Sequence, residues 1–210
     1  MKNLLLIFPI LIILTFSSCF KPDDRETAYL PEEFKAYTVF NEGTWWVHEE
    51  VFSGERDSSF VFSSITEINT DRSWSFIRET NEQLMVRRED TLYCSTFAFD
   101  QSLEGESIYI YRYIDNNLPL MHLLVHPIDS IGKQVPFQGG AFITAIEEET
   151  VIKEQSYINT ISVSFDGAIA ENGNPLWRIR SCTFAQNVGM IRIQYYDGTI
   201  WELVDYHIAD

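Results

Sequence analysis

The sequence predicts an all-β protein: a single antiparallel β-barrel or strongly curved half-barrel, with one short N-terminal helix. Three observations carry this. From residue 43 onward, short runs rich in Val, Ile, Tyr, Phe and Trp alternate with clusters of Gly, Asn, Asp and Ser, which is the composition of strands separated by turns. Convincing helical period occurs once, at residues 30–37. Several strands are also apolar or aromatic on both faces. Residues 107–114 put Ile108, Ile110 and Ile114 on one side, interrupted by Arg112, and Tyr109, Tyr111 and Tyr113 on the other. A sheet with one face in water alternates more cleanly. Two-sided strands therefore ask for a curled sheet whose concave face is filled, and a barrel or half-barrel meets that need while reducing open edges.

The chain opens with one basic residue, Lys2, a charge-free apolar run over 4–16, and Ser17-Ser18-Cys19. That order is a basic n-region, an apolar h-region and small residues before a cleavage point. The run is shorter than the roughly 20 apolar residues of a stable membrane span. Cys directly after the small residues resembles a bacterial lipoprotein signal, with Phe16 where such signals usually carry Leu. The resemblance implies cleavage after Ser18 and lipidation of Cys19. Lys21-Pro22-Asp23-Asp24 is similar to the acidic tags of surface-exported lipoproteins of the Bacteroidetes.

Residues 20–30 read as a tether. The helix expected next has Pro31 at its first position and Glu32 and Glu33 in its first turn, which suits the free amides and dipole there. Phe34 and Tyr37 share one face and can cover an end of the β domain. Strands are then expected at 44–52, 59–68, 74–79, 84–88, 92–99, 107–114, 120–125, 141–146, 157–165, 176–184, 190–195 and 199–208. Turns fall at residues 53–57, 69–71, 80–82, 115–117, 139–140, 166–167 and 172–175. No internal repeat or Pro/Ser-rich linker divides this region, so the expected organisation is a signal peptide at 1–18, the lipidated Cys, tether and helix at 19–42, and one β domain at 43–210.

The last hairpin can be read to its register. A two-residue Asp197-Gly198 turn would set Ile193 against Glu202 and Arg192 against Leu203. A three-residue loop, Tyr196-Asp197-Gly198 with Gly198 left-handed, shifts the pairing by one. Ile193 then meets Trp201, Ile191 meets Leu203 and Arg192 meets Glu202, giving one apolar face and one charge pair. Trp201 and Leu203 point into the core in this register.

Composition limits the partners. With 31 acidic and 15 basic residues the net charge is −16, so nucleic acid and anionic head groups would be repelled. The run Glu147-Glu148-Glu149 reads as solvated surface. Once Cys19 is assigned to lipid, Cys94 and Cys182 remain, in an oxidising compartment. Either they pair as a disulfide or both are buried free thiols, and their spacing leaves the two open.

The motifs that could carry chemistry do not assemble. His122 and His126 would share a helix face, but Pro119 and Pro127 bracket a short apolar strand. On a strand the two share a face about 13 Å apart, beyond any single metal ion. Ser130-Ile131-Gly132-Lys133 has the Ser-x-x-Lys spacing of penicillin-recognising enzymes, yet Gly132 interrupts it and its companion motifs are missing. Glu49 and Glu50 fall on opposite faces of a strand. His48 and His207 read as single packed or surface imidazoles. The expectation is no catalytic residue, no metal and no cofactor.

Three stretches resemble uncharacterised Bacteroidetes-type lipoproteins. Phe40-Asn41-Glu42-Gly43-Thr44-Trp45-Trp46-Val47-His48 is similar to their Phe-x-x-Gly-Ser-x-Trp-x-Tyr opening, with Thr44 for Ser and His48 for Tyr. Residues 184–192 and 201–206 resemble their Ala-x-x-Val-Gly-x-Val-Lys segment and closing strand. The resemblance implies a lipid-anchored β domain and brings no activity with it. The expected function is non-catalytic binding or interaction at the cell envelope, with the membrane as partner through the N-terminal lipid at the outer membrane, on its periplasmic side or at the cell surface. The alternative is a carrier or sensor holding a small apolar ligand in a calyx lined by Tyr109, Tyr111 and Tyr113.

Overall fold

The structure is a computed structural model that describes residues 25–71, 77–87, 90–101, 107–115, 121–126, 141–165 and 179–210. Cys19, the Ser130–Lys133 spacing and the turns expected at 116–117, 139–140, 166–167 and 172–175 lie outside them. The elements in chain order are β1 (Thr27–Ala28), α1 (Glu32–Thr38), β2 (Trp45–Glu50), β3 (Arg56–Asn69), β4 (Ile77–Arg87), β5 (Asp90–Gln101), β6 (Ser107–Asp115), β7 (Met121–His126), β8 (Ala141–Ile152), β9 (Gln155–Phe165), β10 (Ile179–Ala185), β11 (Gly189–Tyr195) and β12 (Ile200–His207). The strands build one sheet in the order β7-β6-β5-β4-β3-β2-β12-β11-β10-β9-β8, with β1 pairing β4 beside that path. The sheet is curled into a half-barrel, the all-β class predicted. No helix among the described residues is long and apolar enough to cross a membrane.

Each neighbouring pair along this path is antiparallel, and β2 joins β12, so the two ends of the domain meet side by side. Ten successive antiparallel ladders leave β7 and β8 running in the same direction. The two edges approach each other without a ladder among the described residues. A hairpin cannot close such a seam, because a parallel pair needs a crossover connection. Parity of strand number thus favours the half-barrel over a closed one.

The C-terminal hairpin has the three-residue loop read from sequence. Arg192 pairs Glu202 and Ile193 pairs Trp201, Gly198 has φ +92, and Trp201 and Leu203 are buried in the core. Two other expectations are corrected. Residues 80–82 are no turn: β4 runs unbroken through them, and Thr80 and Asn81 are buried. Asn81 satisfies its amide on Ser64 Oγ at 3.2 Å and Thr66 Oγ1 at 3.0 Å, so a residue that usually marks a turn is stable inside a sheet. Pro31 is the N-cap of α1, extended at φ −61 and ψ 138, and its carbonyl accepts the Lys35 amide at 2.9 Å.

The core lies between the concave face of the sheet and α1. Phe34 and Tyr37 enter it from the helix, and Phe184, Ile161, Val163, Ile193 and Leu203 from β9 to β12. Four polar contacts fix the helix there. Gln83 Nε2 donates to the Thr38 carbonyl at 2.6 Å, and Tyr37 Oη to the Asn159 carbonyl at 2.9 Å. The Asn187 amide donates to the Ala36 carbonyl at 2.7 Å. Lys35 Nζ pairs with the Glu79 carboxylate at 3.1 Å, which also accepts the Leu30 amide at 2.8 Å.

Candidate binding cavity

Strand alternation places the site. On β2, Trp46, His48 and Glu50 are buried and Trp45, Val47 and Glu49 face outward, following the period of two. The β2–β3 ladder sets Trp46 opposite Ser59 and His48 opposite Asp57. On β4, Gln83 and Met85 take the concave side and are buried. From the far side come Phe184 of β10, paired with Met190 of β11, and Ile193. Tyr37 of α1 and Phe40 of the following linker close the top. These residues, with Ser58, line a partly enclosed cavity of about 40 Å³, room for roughly three waters.

The walls are rigid for identifiable reasons. Phe40 and Trp46 stack edge to face with ring centroids 5.0 Å apart. Trp46 Nε1 donates to the Val188 carbonyl at 2.6 Å. Gly189 has φ +91, and a Cβ there would meet Phe40 Cζ at 3.0 Å. Only glycine allows the β10–β11 turn to press this closely on the Phe40 ring. Residues 40–48 and 184–192 are therefore in direct contact.

The polar groups occupy one strip. His48 Nε2 lies 2.9 Å from the Met190 carbonyl, so that nitrogen carries the proton. Gln83, 1 % exposed, directs its amide nitrogen to Thr38 O and also to Asn81 Oδ1 at 2.9 Å. Asp57 is 5 % exposed. Burial, then the charge of Glu33, pushes the Tyr37 hydroxyl above its ordinary range. Below the cavity Glu50 accepts the amides of Phe52 and Ser53, and the Ser53 contacts followed by Phe52 hold its carboxyl below the usual range. Glu49, on the other face, pairs with Lys153 and Arg56 and is held low by them in that order. The faces of Glu49 and Glu50 are those expected from sequence.

The remaining expected site residues fall elsewhere. Cys94 and Cys182, on β5 and β10, are both buried and neither is in a disulfide. Cys94 Sγ lies 3.5 Å from Met85 Sδ, and burial pushes the Cys182 thiol far up. Positions 109, 111 and 113 pair with Ala98, Thr96 and Cys94. Cys94 and Thr96 are buried, so the register puts the three tyrosine positions on the concave face; their side chains lie outside the described part of the structure. The histidine pair needs a correction. His126 pairs with Tyr109 and His122 with Arg112, with a register shift between them. That bulge moves the two positions to opposite faces, where an uninterrupted strand would have kept them on one. Among the described residues no cluster of three or more His, Cys, Asp or Glu could hold a metal ion.

Asp57, Gln83 and the aromatic lid do not stand out as a site in the sequence. Local chemistry puts Asp57 in a turn and Gln83 in a gap between strands. The signal that could find them is the β2–β3 hairpin, whose register sets an imidazole against a carboxylate on the aromatic face. Fold and site together define an all-β half-barrel with a helix-covered interior cavity. Comparison with protein-family models, curated proteins and solved structures finds no match for this chain.

Proposed function

We propose that this is a non-catalytic binding protein of the cell envelope that seats a small molecule in the cavity beneath α1. In this reading the signal is cleaved after Ser18, acylated Cys19 holds the chain at the outer membrane, and the tether leads into the domain. Two or three acyl chains anchor stably where one is marginal. The kinship proposed is with the Bacteroidetes-type lipoproteins whose opening strand it resembles. The observation that supports a ligand role is the cavity itself, with rigid aromatic walls on one side and a buried polar strip on the other, the usual make-up of small-molecule sites. The test compares native and denaturing mass spectra of gently purified mature protein. A small molecule retained one to one in the native spectrum is expected, and its absence from repeated preparations contradicts the ligand role.

One observation favours a second reading, docking of an envelope protein. Phe60, Phe62, Ile65 and Val86 are exposed, with Phe60 paired to Val86 across the β3–β4 ladder. Contiguous apolar surface of this kind often marks an interaction face.

A further inference from the structure

An apolar strip crosses the outer face of the sheet. Trp45 of β2 faces outward and pairs with Phe60 of β3, which pairs in turn with Val86 of β4. Phe60, Phe62, Ile65 and Val86 are all exposed, whereas Val61 and Met85, their neighbours along the strands, are buried. The strip therefore belongs to the convex side. The N-terminal segment enters the domain at one end of this same strand pair. Arg25 donates to the Asp71 carbonyl at 2.8 Å and to the Thr70 carbonyl at 2.9 Å, just beyond the end of β3. The Ile77 amide donates to the Glu26 carbonyl at 2.9 Å, and β1 then pairs with β4. Cys19 precedes Arg25 by six residue steps, so a lipid-bearing Cys19 stands at most about 22 Å from it. Ile65, the nearest member of the strip, lies four residues in from Asn69, about 13 Å along the strand. The anchor thus brings this strand pair to the bilayer. A tether this short gives an effective concentration on the order of millimolar, so a patch too weak to recruit the protein alone stays seated once the lipid is in place. Aromatic and aliphatic side chains suit the membrane interface. Exposed Glu67 and Glu82, the latter paired with Ile65, favour an uncharged headgroup layer over an anionic one.

We propose that Trp45, Phe60, Phe62, Ile65 and Val86 seat on the surface of a zwitterionic bilayer, laying the convex face of β2 to β4 against the membrane that holds Cys19. The inference rests on the proposed acylation of Cys19 and adds an orientation to it: the concave side, with its cavity, is turned away from the lipid. The position of the anchor is what singles out the bilayer over a protein as the occupant of this face.

The test places the mature acylated chain in phosphatidylcholine vesicles that carry a photoactivatable phospholipid. After irradiation, lipid adducts are mapped by peptide mass spectrometry, and the mass of the N-terminal peptide reads the lipid on Cys19. Labelling of the β3 peptide that holds Phe60, Phe62 and Ile65 is expected to exceed that of other surface peptides at least fivefold. The double variant Phe60→Ser, Phe62→Ser, with folding checked by circular dichroism, should lower it at least threefold and leave the N-terminal peptide labelled as before. The wild-type map needs no variant, so its outcome stands even if the double variant fails to fold. With Cys19 acylated, label confined to the N-terminal peptide or spread evenly over the surface overturns the docking, leaves the anchor intact and returns this face to a protein partner. A Cys19 without lipid removes the tether, and the inference falls with it.

Discussion

Gly189 shows how one residue sets the architecture of the site. Its positive φ and its closeness to Phe40 and Trp46 leave no space for a side chain. Gly189→Ala should cost about 1–3 kcal/mol from backbone strain, with more added if the Phe40 ring must move. A urea melt read by far-ultraviolet circular dichroism checks this, and an unchanged midpoint contradicts it. Tyr157 behaves differently, because its buried hydroxyl has no hydrogen-bond partner among the described residues. Burial, then Tyr206 and Glu202, pushes it from 10.0 up to about 12. The unfolded chain loses this proton near pH 10 and the folded chain only near 12. The linked stability is therefore fully present below pH 10 and is lost as pH rises towards 12, by up to about 2 kcal/mol. Tyr157→Phe should be near neutral at pH 7, since no bond is broken, and should flatten the alkaline loss. Melting temperatures from pH 8 to 11 decide it: a wild-type slope retained in the variant would show that other groups carry it. Little of this is legible in sequence, because burial of a single tyrosine depends on strands that meet only in the fold.

At the scale of elements, α1 is the piece that turns an open concave face into a cavity. Phe34 is fully buried beneath it, so Phe34→Ala should cost about 3–5 kcal/mol. Deleting residues 20–38 should both destabilise the domain and expose a surface that binds a hydrophobic dye. A truncated domain that melts like the full chain and binds no dye would show that the helix covers nothing. Elements are legible where local chemistry decides them. The last hairpin is readable because Asp197-Gly198, the Arg192–Glu202 pair and the apolar alternation agree on one register. β4 reads as two strands because Thr80-Asn81-Glu82 suggests a turn; in the fold its inner face carries Glu79, Asn81 and Gln83. Their partners, Leu30, Lys35, Thr38, Ser64 and Thr66, lie on other elements. The bulge in β7 is hidden for the same reason, since register belongs to the pair of strands and not to one of them.

At the scale of the whole molecule, the curl of the sheet brings distant strands together. Lys153 of the β8–β9 turn reaches Glu49 of β2 at 2.5 Å, although β9 to β12 lie between their strands in the sheet order. Two-sided apolar strands and turn spacing make this class legible, whereas spacing leaves the state of Cys94 and Cys182 open. Both are buried and neither is in a disulfide, and a buried thiol reacts slowly. Iodoacetamide should leave them largely unmodified in the native protein and label both in the unfolded, unreduced chain. A mass short of two adducts after unfolding would mean that they are bonded. Anchoring is tested by Cys19→Ala, which should release the protein or leave it unprocessed; unchanged membrane partition would contradict lipidation.

The cavity is beyond sequence reading because its lining runs from Tyr37 to Ile193, brought together by the β2–β12 pairing and by contacts that exist only in the fold. Its role as a ligand seat is tested most directly by the native mass spectrum of the mature chain beside that of Ser59→Leu, a substitution that fills the cavity opposite Trp46. A ligand seat predicts a one-to-one small-molecule adduct in the wild type and none in the filled variant, with both folded by circular dichroism. An adduct retained undiminished in Ser59→Leu, or absent from the wild type, would contradict it.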